Sequence, residues 1–164
     1  MAQNNLQLLS YSLTDKGLIR EGNEDCFLSS PITGLWLVAD GMGGHEAGEV
    51  ASAITKNTIN EQVCAGKTLE NSIYKAHKAV IAAVKIAPQT KGMGSTVVAL
   101  CTKNEEYQVS WVGDSRAYLW TATADGGQLE QLTVDHSYVQ ALLDSGAITP
   151  EEVYNHPDKN IITQ

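Results

Sequence analysis

Leu69, Ile73, Ala76, Val80, Ala83, Val84 and Ala87 recur at helical spacing until Pro88 breaks the run, and the segments on both sides of this stretch read as strands. Thr68 is placed to cap this helix. Just before it, Val50, Ile54 and Thr58 fall on one face of a first helix. Strands, two consecutive helices and strands again exclude a repeated βαβ unit and predict an α+β fold with largely antiparallel sheets.

On the N-terminal side, Leu6, Leu8, Tyr11 and Leu13 roughly alternate with polar residues. Cys26 to Leu28 is short and mixed, and Leu35 to Ala39 is an apolar run too short for a helix. Pro31 and Gly34 mark the turn between the last two. On the C-terminal side, Val97 to Cys101, Tyr107 to Val112 and Ala117 to Trp120 are rich in β-branched and aromatic residues, and Thr102–Glu106 turns the first into the second. A helical hairpin follows. Gly146 stops its first helix, and Thr149-Pro150-Glu151-Glu152 starts the second with a cap, a first-turn proline and a capping-box glutamate.

Charge excludes some partners. Eleven basic against nineteen acidic residues leave a net charge of −8 in 164 residues. No basic stripe is available for nucleic acid or for an anionic membrane. Cys26, Cys64 and Cys101 are odd in number and far apart, without a CxxC pair, which fits a reducing compartment better than a disulfide framework or zinc. The N-terminus lacks a basic, apolar leader pattern, and no apolar run reaches membrane length, so a cytoplasmic location is expected.

Chemistry gathers at the ends of strands. Asp40 ends the run Leu35–Ala39 and opens the glycine-rich loop Gly41-Met42-Gly43-Gly44. Alone it would read as a turn residue. It is joined by Glu24 and Asp25 before another strand, with Arg20 upstream, and by Asp114 in the turn Gly113-Asp114-Ser115-Arg116. Hard oxygen donors without a His/Cys cluster select Mg²⁺ or Mn²⁺ over zinc. Other site signatures fail: the glycine loop lacks the third glycine of a dinucleotide fingerprint, no P-loop or nucleophile elbow is present, and no arginine lies six residues after any cysteine.

Six segments in order then resemble the PPM phosphatases (protein phosphatase type 2C) in their bacterial form. They are Arg20-x-x-Asn23-Glu24-Asp25, Val38–His45, Gly92–Thr96, Val112–Tyr118, Leu132-Thr133-x-Asp135-His136-Ser137 and His156-Pro157-x-x-Asn160. The resemblance implies an α-β-β-α sandwich of two largely antiparallel sheets flanked by helices. Residues 1–164 would be the N-terminal two-thirds of the domain, with 137–160 as a mobile flap beside the site. It implies hydrolysis of phosphoserine and phosphothreonine in proteins by a metal-activated water, using two Mg²⁺ or Mn²⁺ ions and a third, weaker one. Asp40 would bridge two metals, with the Gly41 carbonyl as a further ligand; Asp25, with Glu24 beside it, would serve the second; and Asp114 would help hold the third. Arg20 would clamp the substrate phosphate. Two cations roughly 3.5–4 Å apart offset the repulsion between a phosphate dianion and its nucleophile, so no phospho-enzyme is required.

The resemblance leaves some points open. Animal-type members place a histidine directly after the Asp-Gly pair; here Met42 stands there and His45 lies three positions on. His45 either protonates the leaving oxygen or caps the helix that follows. His136 is expected to make structural hydrogen bonds, and His77 to be without a role. Two further family aspartates, from an Asp-Gly segment and an Asp-Asn pair, would fall after Gln164, so the C-terminal strands and half of one metal cage are expected to be absent from this chain. The expected partners are phosphoprotein substrates and a cognate serine/threonine kinase pathway. The alternative is a non-catalytic domain of the same fold that binds phosphoproteins or a kinase.

Overall fold

The computed structural model describes residues 8–43, 47–103 and 105–164. Strands β1 (Asp25–Ser30), β2 (Leu35–Met42), β4 (Val97–Lys103) and β5 (Glu106–Val112) lie side by side in that order, all antiparallel, and the two-residue β3 (Gly94–Ser95) extends the far end of β2. Between β2 and β3 come helices α1 (Ala47–Cys64) and α2 (Leu69–Ile86), then a 3-10 turn at Pro88–Thr90. β6 (Tyr118–Thr123) and β7 (Gly126–Gln131) form a separate two-stranded sheet, and α3 (Tyr138–Asp144) and α4 (Pro150–Asn155) follow.

Alternation along β2 defines two faces. Leu35, Leu37 and Ala39 are buried, whereas Trp36 and Val38 are less so. The buried set, with Val97 and Ala99 of β4, packs on Ile59 of α1 and on Leu69 and Ala76 of α2 to form the main core. Each fully buried aliphatic side chain there contributes about 1.5–3 kcal/mol. The opposite face presents Phe27, Trp36, Val38, Leu100 and Val109, as the strand register requires. A hollow of about 510 Å³ lies on that side, between Leu100, Tyr107 and Val109 and the β6 residues Tyr118 and Leu119. The buried Trp36 Nε1 has no hydrogen-bond partner among the described residues.

The second helix follows its stripe: Leu69, Ala76 and Val80 are buried, and Thr68 caps it by accepting from the Asn71 N–H. The first helix follows the pattern of its larger residues only in part. Its buried positions are Ala47, Gly48, Ala51, Ser52, Thr55 and Ile59, while Val50 is exposed. The helix lies so close to the sheet that small side chains line the contact; of the larger residues, Ile54 is partly buried against Ala47, Ala51, Val80 and Met93. A side-chain carbon on Gly41 would run into the Gly48 carbonyl, which shows how near the two backbones come.

Two further differences separate sequence and structure. Leu8 to Leu13 forms no strand; Leu9, Tyr11 and Leu13 are exposed, because alternation yields a strand only where a partner edge exists. β7, Gly-Gly-Gln-Leu-Glu-Gln, carries no strand pattern and is recruited by pairing with β6. The helical hairpin agrees with expectation: Gly146 ends α3 at φ +73°, and the Glu152 carboxylate accepts from the Thr149 N–H at 2.7 Å.

Candidate metal and phosphate site

At one end of the open face, the register places Asp25 directly opposite Asp40. Side chains so paired have Cβ atoms roughly 4.5–5.5 Å apart on one face of the sheet. Continuing the same register, Thr96 stands opposite Asp40, between the Gly41–Ser95 and Val38–Val98 pairs, and Gly113 follows beside Thr96, one step past the Val97–Val112 pair. The site is thus a row across the ends of neighbouring strands, and Asp114 leaves the row just beyond its end.

Main-chain bonds hold the row. The Thr96 N–H donates to the Asp40 carbonyl at 2.8 Å, and the Asp40 N–H donates to Thr96 Oγ1 at 3.1 Å. The Gly41 N–H donates to the Glu24 carbonyl, which also accepts from Ser52 Oγ of α1 at 2.6 Å. Ahead of β1, Asn23 brackets the loop that carries Arg20: its Oδ1 accepts from the Asp25 N–H at 3.0 Å and its Nδ2 donates to Thr14 Oγ1 at 2.8 Å.

The Asp114 turn is held from the other side. Gly113 adopts φ +104°, and a side chain there would strike Thr96. Its N–H donates to His136 Nδ1 at 3.2 Å and its carbonyl accepts from the His136 N–H at 3.0 Å, while the imidazole stacks on Trp111. His136 therefore makes the structural hydrogen bonds expected of it. Next to it, Arg116 grips Asp135 with two bonds of 2.8 and 2.7 Å. The strand-like contact of Ser137 with Ile162 and the bond from the Thr163 N–H to the His136 carbonyl bring the segment after α4 back to the same place.

These elements enclose a cleft of about 840 Å³. Arg20, Glu24, Asp25, Asp40, Gly41 and Asp114 all line it, so the structure brings together every candidate site residue that it describes. His45 lies outside the described residues. Glu24, just ahead of β1, and Asp25, its first residue, diverge: Glu24 rests its carboxylate against Gly48 in the first turn of α1, while Asp25 shares the Asp40 face. Thr96, Lys16 and Asn160 also line the cleft. Thr96 and Asn160 stand within recognisable segments, but nothing in the sequence assigns them a place in the site.

The electrostatics are those of a site short of positive charge. Burial pushes the Asp40 carboxyl above its ordinary value, and the negative charges of Asp25 and Asp114, a hydrogen bond with Asp25 and the charge of Glu24 push it further. A divalent cation relieves such crowding, and the donors are the hard oxygens it prefers. Among the described residues, no three His, Cys, Asp or Glu side chains converge closely enough to hold an ion by themselves. The donor set therefore fits an ion completed by main-chain carbonyl oxygen and water.

Known proteins resemble the chain in both sequence and fold. The chain is 36% identical over 168 residues to the serine/threonine protein phosphatase PstP of Mycobacterium tuberculosis, across 99% of this chain and 32% of that protein. Its fold matches the crystal structure of the serine/threonine phosphatase Stp1 from Staphylococcus aureus, with a TM-score of 0.80 and 36% identity over 92% of this chain and 63% of that one. It also matches the catalytic domain of PstP in complex with two manganese ions, with a TM-score of 0.75 and 35% identity over 85% of this chain and 61% of that one. The chain thus spans less than two thirds of the length of these relatives. The family model for protein phosphatase 2C matches residues 5–141, and the chain belongs to that family.

Proposed function

We propose that this chain is the N-terminal two-thirds of a phosphatase domain that hydrolyses phosphoserine and phosphothreonine in proteins with Mg²⁺ or Mn²⁺. The observation that carries the reading is the opposition of Asp25 and Asp40 in a cleft that Asp114 and Arg20 also line. The manganese-bound PstP domain, similar in sequence and fold, supports it.

In this reading Asp40 and Asp25, with the Gly41 carbonyl, hold two cations, and Asp114 contributes to a third. When bound, the metal pair supplies an activated water and neutralises charge in an in-line displacement. Arg20, on a loop set by Asn23, takes the phosphate oxygens in a charge-assisted fork and fixes the phosphorus relative to the carboxylates. Residues 137–160 form the flap, with Asn160 on the cleft wall governing access. His45 remains assigned to either proton donation or helix capping. The substrates would be phosphoproteins of a serine/threonine kinase pathway in the cytoplasm; among the described residues no helix is long and apolar enough to cross a membrane.

Hydrolysis of phosphoserine and phosphothreonine peptides with Mn²⁺ or Mg²⁺ tests this. Asp40→Asn is expected to lower turnover by about a hundredfold or more without unfolding the protein. Undiminished turnover in that variant, or in excess chelator, would sink the reading.

A further inference from the structure

Along a regular antiparallel ladder, a hydrogen-bonded pair exchanges two main-chain bonds. Asp40 and Thr96 exchange only one. The Thr96 N–H reaches the Asp40 carbonyl, but the Asp40 N–H is taken by the Thr96 hydroxyl. The Thr96 carbonyl accepts instead from Ser95 Oγ at 2.8 Å. A side-chain oxygen has entered the sheet ladder at the residue whose carboxylate faces Asp25.

That hydroxyl has a second partner. Thr96 Oγ1 lies 2.7 Å from Ser115 Oγ, and Ser115 directly follows Asp114. Thr96 is itself buried, with 4% of its surface exposed, so its rotamer is fixed by packing. Its methyl side meets Gly113, where any side chain would collide with it. One threonine thus touches the main chain of Asp40, the hydroxyl beside Asp114 and the glycine that sets the Asp114 turn.

We propose that Thr96 is a positioning residue that fixes the Asp40 backbone and couples it, through Ser115, to the Asp114 turn. The inference rests on the reading of Asp40 as a metal ligand and adds the group that aims it. Removing the hydroxyl takes away the acceptor that the Asp40 N–H uses, and the Thr96 carbonyl can replace it only if the strand end moves. The strand end then shifts, and the spacing of the carboxylates shifts with it.

The test is the Mn²⁺ affinity of the full chain by titration calorimetry, with thermal unfolding in chelator as the check on folding. Thr96→Val keeps the β-branched shape and loses the hydroxyl; it is expected to weaken Mn²⁺ binding about tenfold. Thr96→Ser restores the hydroxyl and is expected to return affinity to within about twofold of the parent, a recovery that simple packing would not give because the serine lacks the methyl. Ser115→Ala, which is less buried, should cost about threefold. Parent affinity in Thr96→Val overturns the inference, and should that variant not fold, parent affinity in Ser115→Ala does so. Asp40→Asn separates the two levels: if it too binds Mn²⁺ as the parent does, the reading of Asp40 as a ligand falls and the positioning role falls with it.

Discussion

Asp40 weakens the metal-free fold. Its carboxyl is raised by burial and by Asp25 and Asp114, so the folded chain holds a proton that the unfolded chain releases at the ordinary value of 3.8. Stability contributed at this position is therefore lost as pH rises from that value through the raised one, and the repulsion is fully felt above it. Asp40→Asn removes the charge. In chelator at pH 7 the variant is expected to melt above the parent by about 2 °C, a modest gain because solvent screens a side chain that is only partly buried. The difference should vanish as pH falls below 3.8, which melting curves across the range would show. A variant less stable than the parent at pH 7 would mean that the crowding is not felt. Asp40 was legible in the sequence because a carboxylate between an apolar strand and a glycine loop is a local pattern. Thr96 was not: its part depends on a strand pairing and on Ser115, and neither is written near it.

Among the elements, α1 shows how a close approach overrides hydrophobic pattern. Glu24 lays its carboxylate on Gly48, and a side-chain carbon there would sit 2.6 Å from the carboxyl carbon. Alanine is the better helix former by about 1 kcal/mol, yet Gly48→Ala is expected to destabilise the protein by about 1–2 kcal/mol through overpacking. Urea unfolding would measure it, and Glu24→Ala added to Gly48→Ala should recover most of the loss if Glu24 is the cause. A stabilised single variant would show that the helix has room to move. The face of α1 was legible only in part: Ile54 packs against Ala47, Ala51, Val80 and Met93, but Val50 is exposed and the buried positions include the small Ala51, Ser52 and Thr55. α2 and the capping box of α4 were legible because their signals are periodic or local. β7 was not, since Gly126 and Gly127 enter a strand only by pairing with Thr123 and Ala122.

For the whole molecule, the order of strands, paired helices and strands was enough to exclude parallel architecture, and the antiparallel sheet with its helical layer follows. Sequence could not show that the acidic segments would meet at one end, because that depends on register and not on spacing along the chain. If the cleft binds metal, ligand linkage predicts a gain of about 2.7 kcal/mol at a hundredfold excess of Mn²⁺ over its dissociation constant. For a domain of this size that is a rise in melting temperature of about 5–10 °C. Differential scanning calorimetry should find the rise in the parent and little of it in Asp40→Asn, while an equal rise in both would place the ion elsewhere.

The row that runs from Asp25 through Asp40 and Thr96 to Gly113 also sets an order of events during folding. Asp25 and Asp40 belong to β1 and β2, Thr96 lies between β3 and β4 and Gly113 directly follows β5, and their pairings cross both long helices in sequence. An unfolded chain offers a cation little beyond the adjacent Glu24 and Asp25, so an ion has almost nothing to organise until the sheet has closed. A metal held by this row would load as the last step of maturation, not as its nucleus, unlike small zinc domains that are unfolded without their metal. Chelation should accordingly empty the cleft and leave the core of Leu35, Leu37 and Ile59 in place.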